Sequence, residues 1–312
     1  MKEVLIIYYS QTGQLFDILK NVASTLTDEG VNITYHEILP QKEYPFPWKP
    51  DEFYNAFPET FLQIPTPLKK VSSEVLKAHL PNGKQKYDLV ILGYTVWYLT
   101  PSIPVNSFLK SPEAKELLSN TPVVTLSASR NMWIMAQEKM KRLLMDNNAK
   151  LVGNIALVDR NLNHISVITI VHWLMGGKKT KMFGIFPKPG VSNDEIQTAS
   201  RFGSPIKEAL LKNDYSDLQN ELLNLGAVKV DPSLIATDIR GNMVFSKWSN
   251  FLIQKEGDKR RKALVYFKYY LLFAIWLIAP IVFIVFLLTY IPRYRKIQRE
   301  KAYYSSVALK QD

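Results

Sequence analysis

Residues 4 to 15 read VLIIYYSQTGQL. The apolar run Val4–Tyr9 passes through Ser10-Gln11-Thr12-Gly13 and straight into a helical spacing of apolar residues, from about Gln14 to Asp28. A strand with no polar face belongs inside a sheet covered on both sides. A turn of hydroxyl, amide and glycine residues at a helix N-terminus leaves backbone N–H groups free, and an anion such as a phosphate is favoured there. The loop carries no Lys or Arg, so hydroxyls and backbone dipoles must supply the affinity. The same residues also suit an ordinary helix cap, with Thr12 as N-cap.

Further strand-then-helix units follow. Gly30 ends the first helix, and Asn32–Ile38 alternates as a second strand. Leu89–Gly93 (LVILG) is a fully apolar third strand, Val123–Ser127 a fourth and Gly153–Val158 a fifth. An amphipathic helix is expected near Trp133–Asp146, and a last one over Asn193–Leu211, capped by Ser192 or Asn193. This pattern predicts an α/β fold with a doubly wound, five-stranded parallel sheet. Two stretches are too long for connections and read as insertions. Residues 40–87 include PFPWKPDEFYNAFPETF and a helix expected over Leu68–His79. Residues 159–190 include ISVITIVHWLMGG, a mostly apolar helix that must bury its surface over the site or at a bilayer.

The 312 residues contain no Cys. That excludes disulfides, iron–sulfur clusters, Cys-based zinc sites and any thiolate nucleophile. Four His residues, 36, 79, 164 and 172, show no metal-ligand spacing, so no metal is expected. The net charge is +11, but ten basic residues and one acid, Glu300, stand between Lys259 and Lys301. The rest is close to neutral, which argues against a nucleic-acid partner. The basic residues flank an uncharged run, YYLLFAIWLIAPIVFIVFLLTYI, residues 269 to 291, long enough to cross a bilayer. A single span is the default expectation. Five basic residues on each side give no orientation bias, and Pro280 near the middle can bend the helix. A half-inserted segment with both flanks on the cytoplasmic face and a buried core helix are the alternatives. The expected organisation is a domain over 1–211, a connector over 212–258, a membrane anchor over 259–301 and a tail over 302–312. Met1-Lys2-Glu3 runs directly into the first strand, so the bulk of the chain is expected on the cytoplasmic side of the membrane, bound to membrane lipid.

Ligands in open parallel sheets bind beyond the carboxyl ends of the strands. The second loop there is GYTVWYLTPSIP (93–104), where Tyr94, Trp97 and Tyr98 offer rings for stacking or for core packing. The third is SASRNMW (127–133), whose small residues allow close approach and whose Arg130 and Asn131 suit a ring's polar edge or an anion. No G-x-G-x-x-G or G-x-S-x-G is present, and GGKKT (176–180) lacks the earlier glycine of a P-loop.

Together the three loops resemble those of the flavodoxin-like FMN proteins. The resemblance covers roughly residues 1–158 and 190–211. It implies FMN as cofactor, with Ser10, Gln11, Thr12, Gly13 and Gln14 on the phosphate. Thr95, Val96, Trp97 and Tyr98 would then lie on the ring, with Ser127, Ala128, Ser129, Arg130 and Asn131 opposite. One usual hydroxyl, two residues after the glycine, is Leu15 here. YYSQTGQL, VWYLTPSIP, SRNMWIMAQEKMK and the apolar C-terminal segment are together similar to a narrower family, the aromatases of dialkylresorcinol and flexirubin-type pigment pathways. That resemblance implies an FMN-dependent oxidoreductase aromatising a dialkylcyclohexanedione, a hydrophobic small-molecule substrate. It leaves condensation to a separate ketosynthase, and a homodimer is compatible with it. Carbon–carbon condensation of acyl thioesters normally needs a Cys, which is absent. Arg130 is the candidate for the substrate oxygens, and His164 and His172 are candidate bases. A membrane-anchored electron carrier and a quinone reductase are the alternatives.

Overall fold

The computed structural model describes residues 1–27, 30–76 and 87–310. Asp28, residues 77–79 of the helix expected over Leu68–His79, and Asp312 lie outside the described residues.

Five parallel strands, β1 (Lys2–Tyr8), β2 (Val31–Glu37), β3 (Leu89–Trp97), β5 (Pro122–Ser129) and β6 (Lys150–Val158), stand in the order β2-β1-β3-β5-β6, and β4 (Thr100–Pro101) turns back on the end of β3. This is the flavodoxin-like order, whose ligand crevice lies between the first and third strands. β1 shows why the sheet is covered on both faces. Val4 and Ile6 enter one core with α1 (Gln14–Leu26) and α10 (Gly203–Lys212). Leu5 and Ile7 enter a second with α5 (Ile103–Leu109), α6 (Pro112–Leu118) and α7 (Ile134–Asp146). Alternate side chains on a strand point to opposite faces, and all four are fully buried. The long final helix expected over Asn193–Leu211 is instead α9 (Asn193–Gln197), a 3-10 turn and α10, with Ser192 accepting from Glu195 N as the cap. α1 and α10 approach so closely that only glycine fits at Gly203. A Cβ there would lie 2.3 Å from Val22 O and 2.1 Å from Thr25 Oγ1.

The first insertion forms α2 (Pro50–Asn55), α3 (Phe57–Phe61) and α4 (Ser73–Leu76); the second forms α8 (Asn163–Gly176). Residues 212–258, expected as a connector, are largely α11 (Leu218–Asn224) and α12 (Pro232–Ile253). α12 packs on α3 and α7, so this stretch is part of the folded body.

α13 (Gly257–Phe273), a π turn (Ala274–Ile278) and α14 (Ala279–Thr289) make one run, Gly257–Thr289, long and apolar enough to cross a membrane. Its two flanks decide how it can sit. Before the apolar part, Arg260 Nη2 bonds both oxygens of Glu59 at 2.7 and 2.8 Å, and Phe267 stacks on Phe57 at 4.1 Å. After it, α15 (Tyr294–Ser305) returns to the same body. Gln219 Nε2 donates to Ser305 O at 2.8 Å, Lys141 Nζ to Ala308 O at 2.8 Å, and Tyr303 OH bonds Glu138. A single crossing would put these flanks on opposite sides of a membrane. The structure holds both on one body, so the default expectation of a span is replaced by a segment laid along it.

Gly203→Ala is expected to cost about 1–3 kcal/mol, because α10 must move off α1. A urea unfolding midpoint below the native one at unchanged slope will show it.

Candidate functional site

The three loops beyond the carboxyl ends of β1, β3 and β5 meet at a cavity of about 220 Å3. Gln11, Thr12 and Gln14 line it from the first loop, Thr95 to Tyr98 from the second, and Ala128, Ser129 and Arg130 from the third. Most of the residues read from the three loops therefore share one cavity, with four exceptions. Ser10 sits behind the wall, its Oγ accepting from Phe16 N at 3.3 Å in the first turn of α1. Gly13 is the left-handed N-cap of α1, φ +80°, with no side-chain cap. Ser127 is buried within β5 and does not reach the cavity. Asn131 faces a different cavity, described below.

Both insertions close over these loops. Trp48 and Phe53 come from the first, and Ile170, Trp173 and Leu174 from α8. The two are joined: Trp48 N donates to Leu174 O at 2.8 Å, and Phe46 meets Trp173 edge to face. The side chains of the first loop fasten them down. Gln11 Nε2 donates to Pro45 O at 2.8 Å, and its Oε1 accepts from Trp48 Nε1 at 3.2 Å. Gln14 Oε1 accepts from Val191 N at 2.7 Å, against Gly190, where a Cβ would strike Trp173 at 2.7 Å. The Gln11 amide is thus engaged at both ends, while the Gln14 amide is held through its oxygen. Local periodicity did not place Trp48 and Phe53 here, and the aromatic density of residues 44–61 was the available signal for them. Trp173 stands on the apolar helix expected over the site or at a bilayer, and it lines the cavity.

The second loop is a hairpin rather than a simple strand end. β3 continues to Trp97, and Tyr98-Leu99 form the two-residue turn to β4 with φ +49° and +58°. Positive φ at both positions is the primed-turn geometry usually given to Asn-Gly, and two large side chains hold it only because packing over-determines them. Tyr98 OH donates to Phe53 O at 2.7 Å, and Lys139 Nζ donates to Thr100 Oγ1 at 2.6 Å. Trp97 lies on the cavity among Tyr44, Trp48 and Tyr9, with ring centroids 5.1 to 6.0 Å away. Tyr94 is instead a core residue, fully buried, with its OH on Gln137 Oε1.

Arg130 is the one charged side chain lining the cavity. Its Nη1 donates to Asn163 Oδ1 at 2.6 Å. Desolvation draws its pKa down to about 10, against the pull of Asp159 and Asp238, so it stays cationic at neutral pH. Thr95 Oγ1 and Ser129 Oγ are buried without hydrogen-bond partners. Buried hydroxyls are rarely left unpaired, so these two suit the polar edge of a bound ring. Trp97, Trp48 and Trp173 supply flat apolar surface for it.

Neither histidine candidate lines this cavity. His172 is half-buried on α8. His164 has another partner, for a reason that lies in the apolar helix. In the π turn, Ala279 N–H bonds Ala274 O, five residues back. The next donor in that register would be residue 280, which is proline and has no N–H. Ile275 O is left over, and His164 Nε2 sits 3.0 Å from it, with Trp276 beside the imidazole. The bond requires the proton on Nε2, so His164 is a latch between α8 and the apolar helix and does not serve as a base at the loops.

Sequence reasoning also missed Asp238 of α12. It is buried, and its Oδ2 accepts from Ile134 N at 3.1 Å, capping α7 directly after the third loop. Oδ1 has no hydrogen-bond partner. Burial pushes this carboxyl up to about 7, despite the helix N–H groups, Lys139 and Arg130. Burial likewise brings Lys139 down to about 7.

No family model and no curated protein matches the chain. Solved structures similar to it include a flavoprotein from Lactobacillus acidophilus NCFM in complex with FMN, at 14% identity over 50% of this chain and 93% of that one, TM-score 0.38. Another is a flavodoxin from the domain Archaea, at 11% identity over 67% and 99%, TM-score 0.37. A third is an oxidoreductase from Corynebacterium diphtheriae, at 11% identity over 68% and 98%, TM-score 0.36. The strand order, and not these likenesses, defines the chain as flavodoxin-like in fold.

Between about pH 4 and 7 the native Asp238 keeps a proton that the unfolded chain has lost, so its contribution to stability falls as pH rises through that window. Lys139 works in the other sense. Its native form is neutral from about 7 upward while the unfolded amine stays charged to about 10.5, so stability recovers as pH climbs further. Unfolding midpoints across pH should therefore pass a minimum near neutrality. In Asp238→Asn the decline on the acid side should flatten while the alkaline limb remains.

Proposed function

We propose that the protein is a membrane-associated, FMN-dependent oxidoreductase that aromatises a dialkylcyclohexane-1,3-dione to a dialkylresorcinol. The observation that carries an enzymatic reading is the closure of both insertions over the loops, through Trp48, Phe53, Ile170, Trp173 and Leu174. A one-electron carrier needs an exposed flavin edge for its partner proteins, whereas this wall encloses an apolar space for a small molecule. The site residues fit FMN. Thr12 and the N–H groups at the start of α1 would hold a phosphate, and Thr95 and Ser129 the ring's polar edge. The FMN-bound flavoprotein of L. acidophilus is consistent with this.

Bound FMN supplies a two-electron acceptor for the hydride that the substrate gives up. The dione loses a proton from the carbon α to a carbonyl and a hydride from the β carbon, and the ring then enolises to the dihydroxyarene without further change in composition. The electron pair passes on to an external oxidant. The chain's own part is to bind, orient and shield. Arg130 would hold the oxygen on which charge develops as the α proton leaves. The three tryptophans and α8 exclude water. With no Cys, condensation of the carbon skeleton falls to a partner ketosynthase. A flavin reductase of lipid quinones is the second reading, favoured by the same enclosed apolar cavity beside the long apolar helix.

We base the membrane contact on the outer face of that helix, where Trp276, Leu277, Ile281 and Leu288 are exposed. With both flanks on one body, the helix would lie in the interface plane. The basic residues on each side would face the anionic headgroups of the cytoplasmic leaflet.

Purified protein is expected to be yellow and to release FMN, not FAD. Thr12→Val should weaken FMN binding about 10- to 100-fold, the ~1.5–3 kcal/mol of a charge-assisted bond. Turnover of alkylated cyclohexanediones with no reaction on quinones supports the aromatase, and the reverse supports the second reading. In sealed vesicles carrying the protein outside, a tag after Asp312 should be digested together with the N-terminal domain. A protected tag would mean a crossing.

A further inference from the structure

A second cavity, about 800 Å3, lies between the amino ends of α8 and α12 and the inner side of α14. Its lining is mixed. Asn131, His164 and Thr237 offer neutral polar groups, Asp159, Arg160, Lys229, Asp231 and Lys301 bring charge, and Pro280, Phe283 and Ile284 of α14 form an apolar wall. Asn131 Oδ1 is buried there without a hydrogen-bond partner, so that atom can take a donor such as a hydroxyl. The apolar wall belongs to the helix whose opposite side is open, so an alkyl chain lying on Phe283 and Ile284 continues into the same surroundings as that helix's outer face. Asn163 connects the two cavities: it lines this one and accepts from Arg130, which lines the loop cavity.

We propose that this cavity is a lipid-side port, a second binding site that takes an amphiphile with a hydroxylated ring and an alkyl chain out of the bilayer and passes its polar end toward Arg130. The proposal rests on the reading of the protein as a membrane-associated oxidoreductase of alkylated rings, and it adds the route and the residues. The hydroxyls would meet Asn131 and Thr237, and the chain would lie along Pro280, Phe283 and Ile284. His164 holds α14 in place by its bond to Ile275 O and so keeps the port's width. A bulky side chain at Ile284, which is 54% exposed, narrows the port without disturbing either core of the sheet.

The test uses the full chain in phosphatidylcholine vesicles and a long-chain 5-alkylresorcinol carrying a diazirine in its chain. After photolysis and digestion, label is expected on Phe283, Ile284 and the Ser233–Thr237 peptide, and excess unlabelled alkylresorcinol should remove it. Ile284→Trp, and separately Ala279→Trp, should lose most of that label while keeping the native FMN content and circular dichroism. Both variants should also keep native turnover of a short-chain, water-soluble dione. Label spread evenly over Leu277 and Leu288, as a photoactivatable phosphatidylcholine would give, overturns the port, and so does label unchanged in both tryptophan variants. Protein that lacks FMN but labels as described would overturn the flavin reading and leave the port standing. Protein that holds FMN and turns over the dione but labels only on the outer face would do the opposite.

Discussion

A helix that runs through proline gives up one hydrogen bond, and here the missing bond is supplied from another element. Pro280 leaves Ile275 O without a donor, and His164 fills the place. A carbonyl left unpaired away from water costs about 1–3 kcal/mol, so the pair fixes where the apolar helix sits on α8. α8 then carries the constraint about 15 Å along its axis, at 1.5 Å per residue. At its other end Trp173 and Leu174 close the loop cavity and Leu174 O is tied to Trp48 N. The apolar helix and the wall of the loop cavity are thus joined to opposite ends of one element, α8.

The strands were legible because burial on two faces leaves no choice of residue: Val4 to Ile7 and Leu89 to Leu92 are apolar at every position and fully buried. The first loop was legible as well, since hydroxyls and glycine between such a strand and a helix have few other uses. What local pattern could not show is where distant segments land. β3 ends in a turn made of Tyr98 and Leu99, which carry none of the usual turn chemistry. Contacts with distant segments, Tyr98 with Phe53 and Phe57 and Thr100 with Lys139, help that turn hold. The sequence made His164 a catalytic candidate by residue type alone, because its partner is a backbone carbonyl more than a hundred residues away. Asp238 was hidden for the same reason, inside a stretch that composition marked as a connector.

Asp238 also shows how the third loop is kept in shape. The N-terminus of α7 has no side-chain cap from its own segment, so α12 supplies a carboxylate across the interface. An anion at a helix N-terminus is favoured, but full burial opposes its charge, and Lys139 and Arg130 offset only part of that. The carboxyl therefore lies close to its protonation point. Arg130 is linked to this cluster by charge and to α8 by Asn163. Its position at the loop cavity is consequently set by elements from both the second insertion and the C-terminal third of the chain, and no segment near Arg130 in sequence could set it.

The balance of charge around the apolar run now has a structural counterpart. Equal numbers of basic residues before and after it give no preferred direction of crossing, and a direction is needed only if the chain crosses. Arg260 on Glu59 and Gln219 on Ser305 show both flanks committed to one body. A helix held in this way can still be strongly bound to a bilayer, since its outer face offers Trp276, Leu277, Ile281 and Leu288 together and each buried methylene contributes about 0.8 kcal/mol. A single span would anchor the domain but leave it free to tumble on a tether. A helix lying along the body would, at a bilayer, turn one chosen face of the domain toward the lipid. Under the reading proposed above, the distinction matters for a substrate carrying alkyl chains, because only the second arrangement sets the apolar helix and the loop cavity at opposite ends of α8.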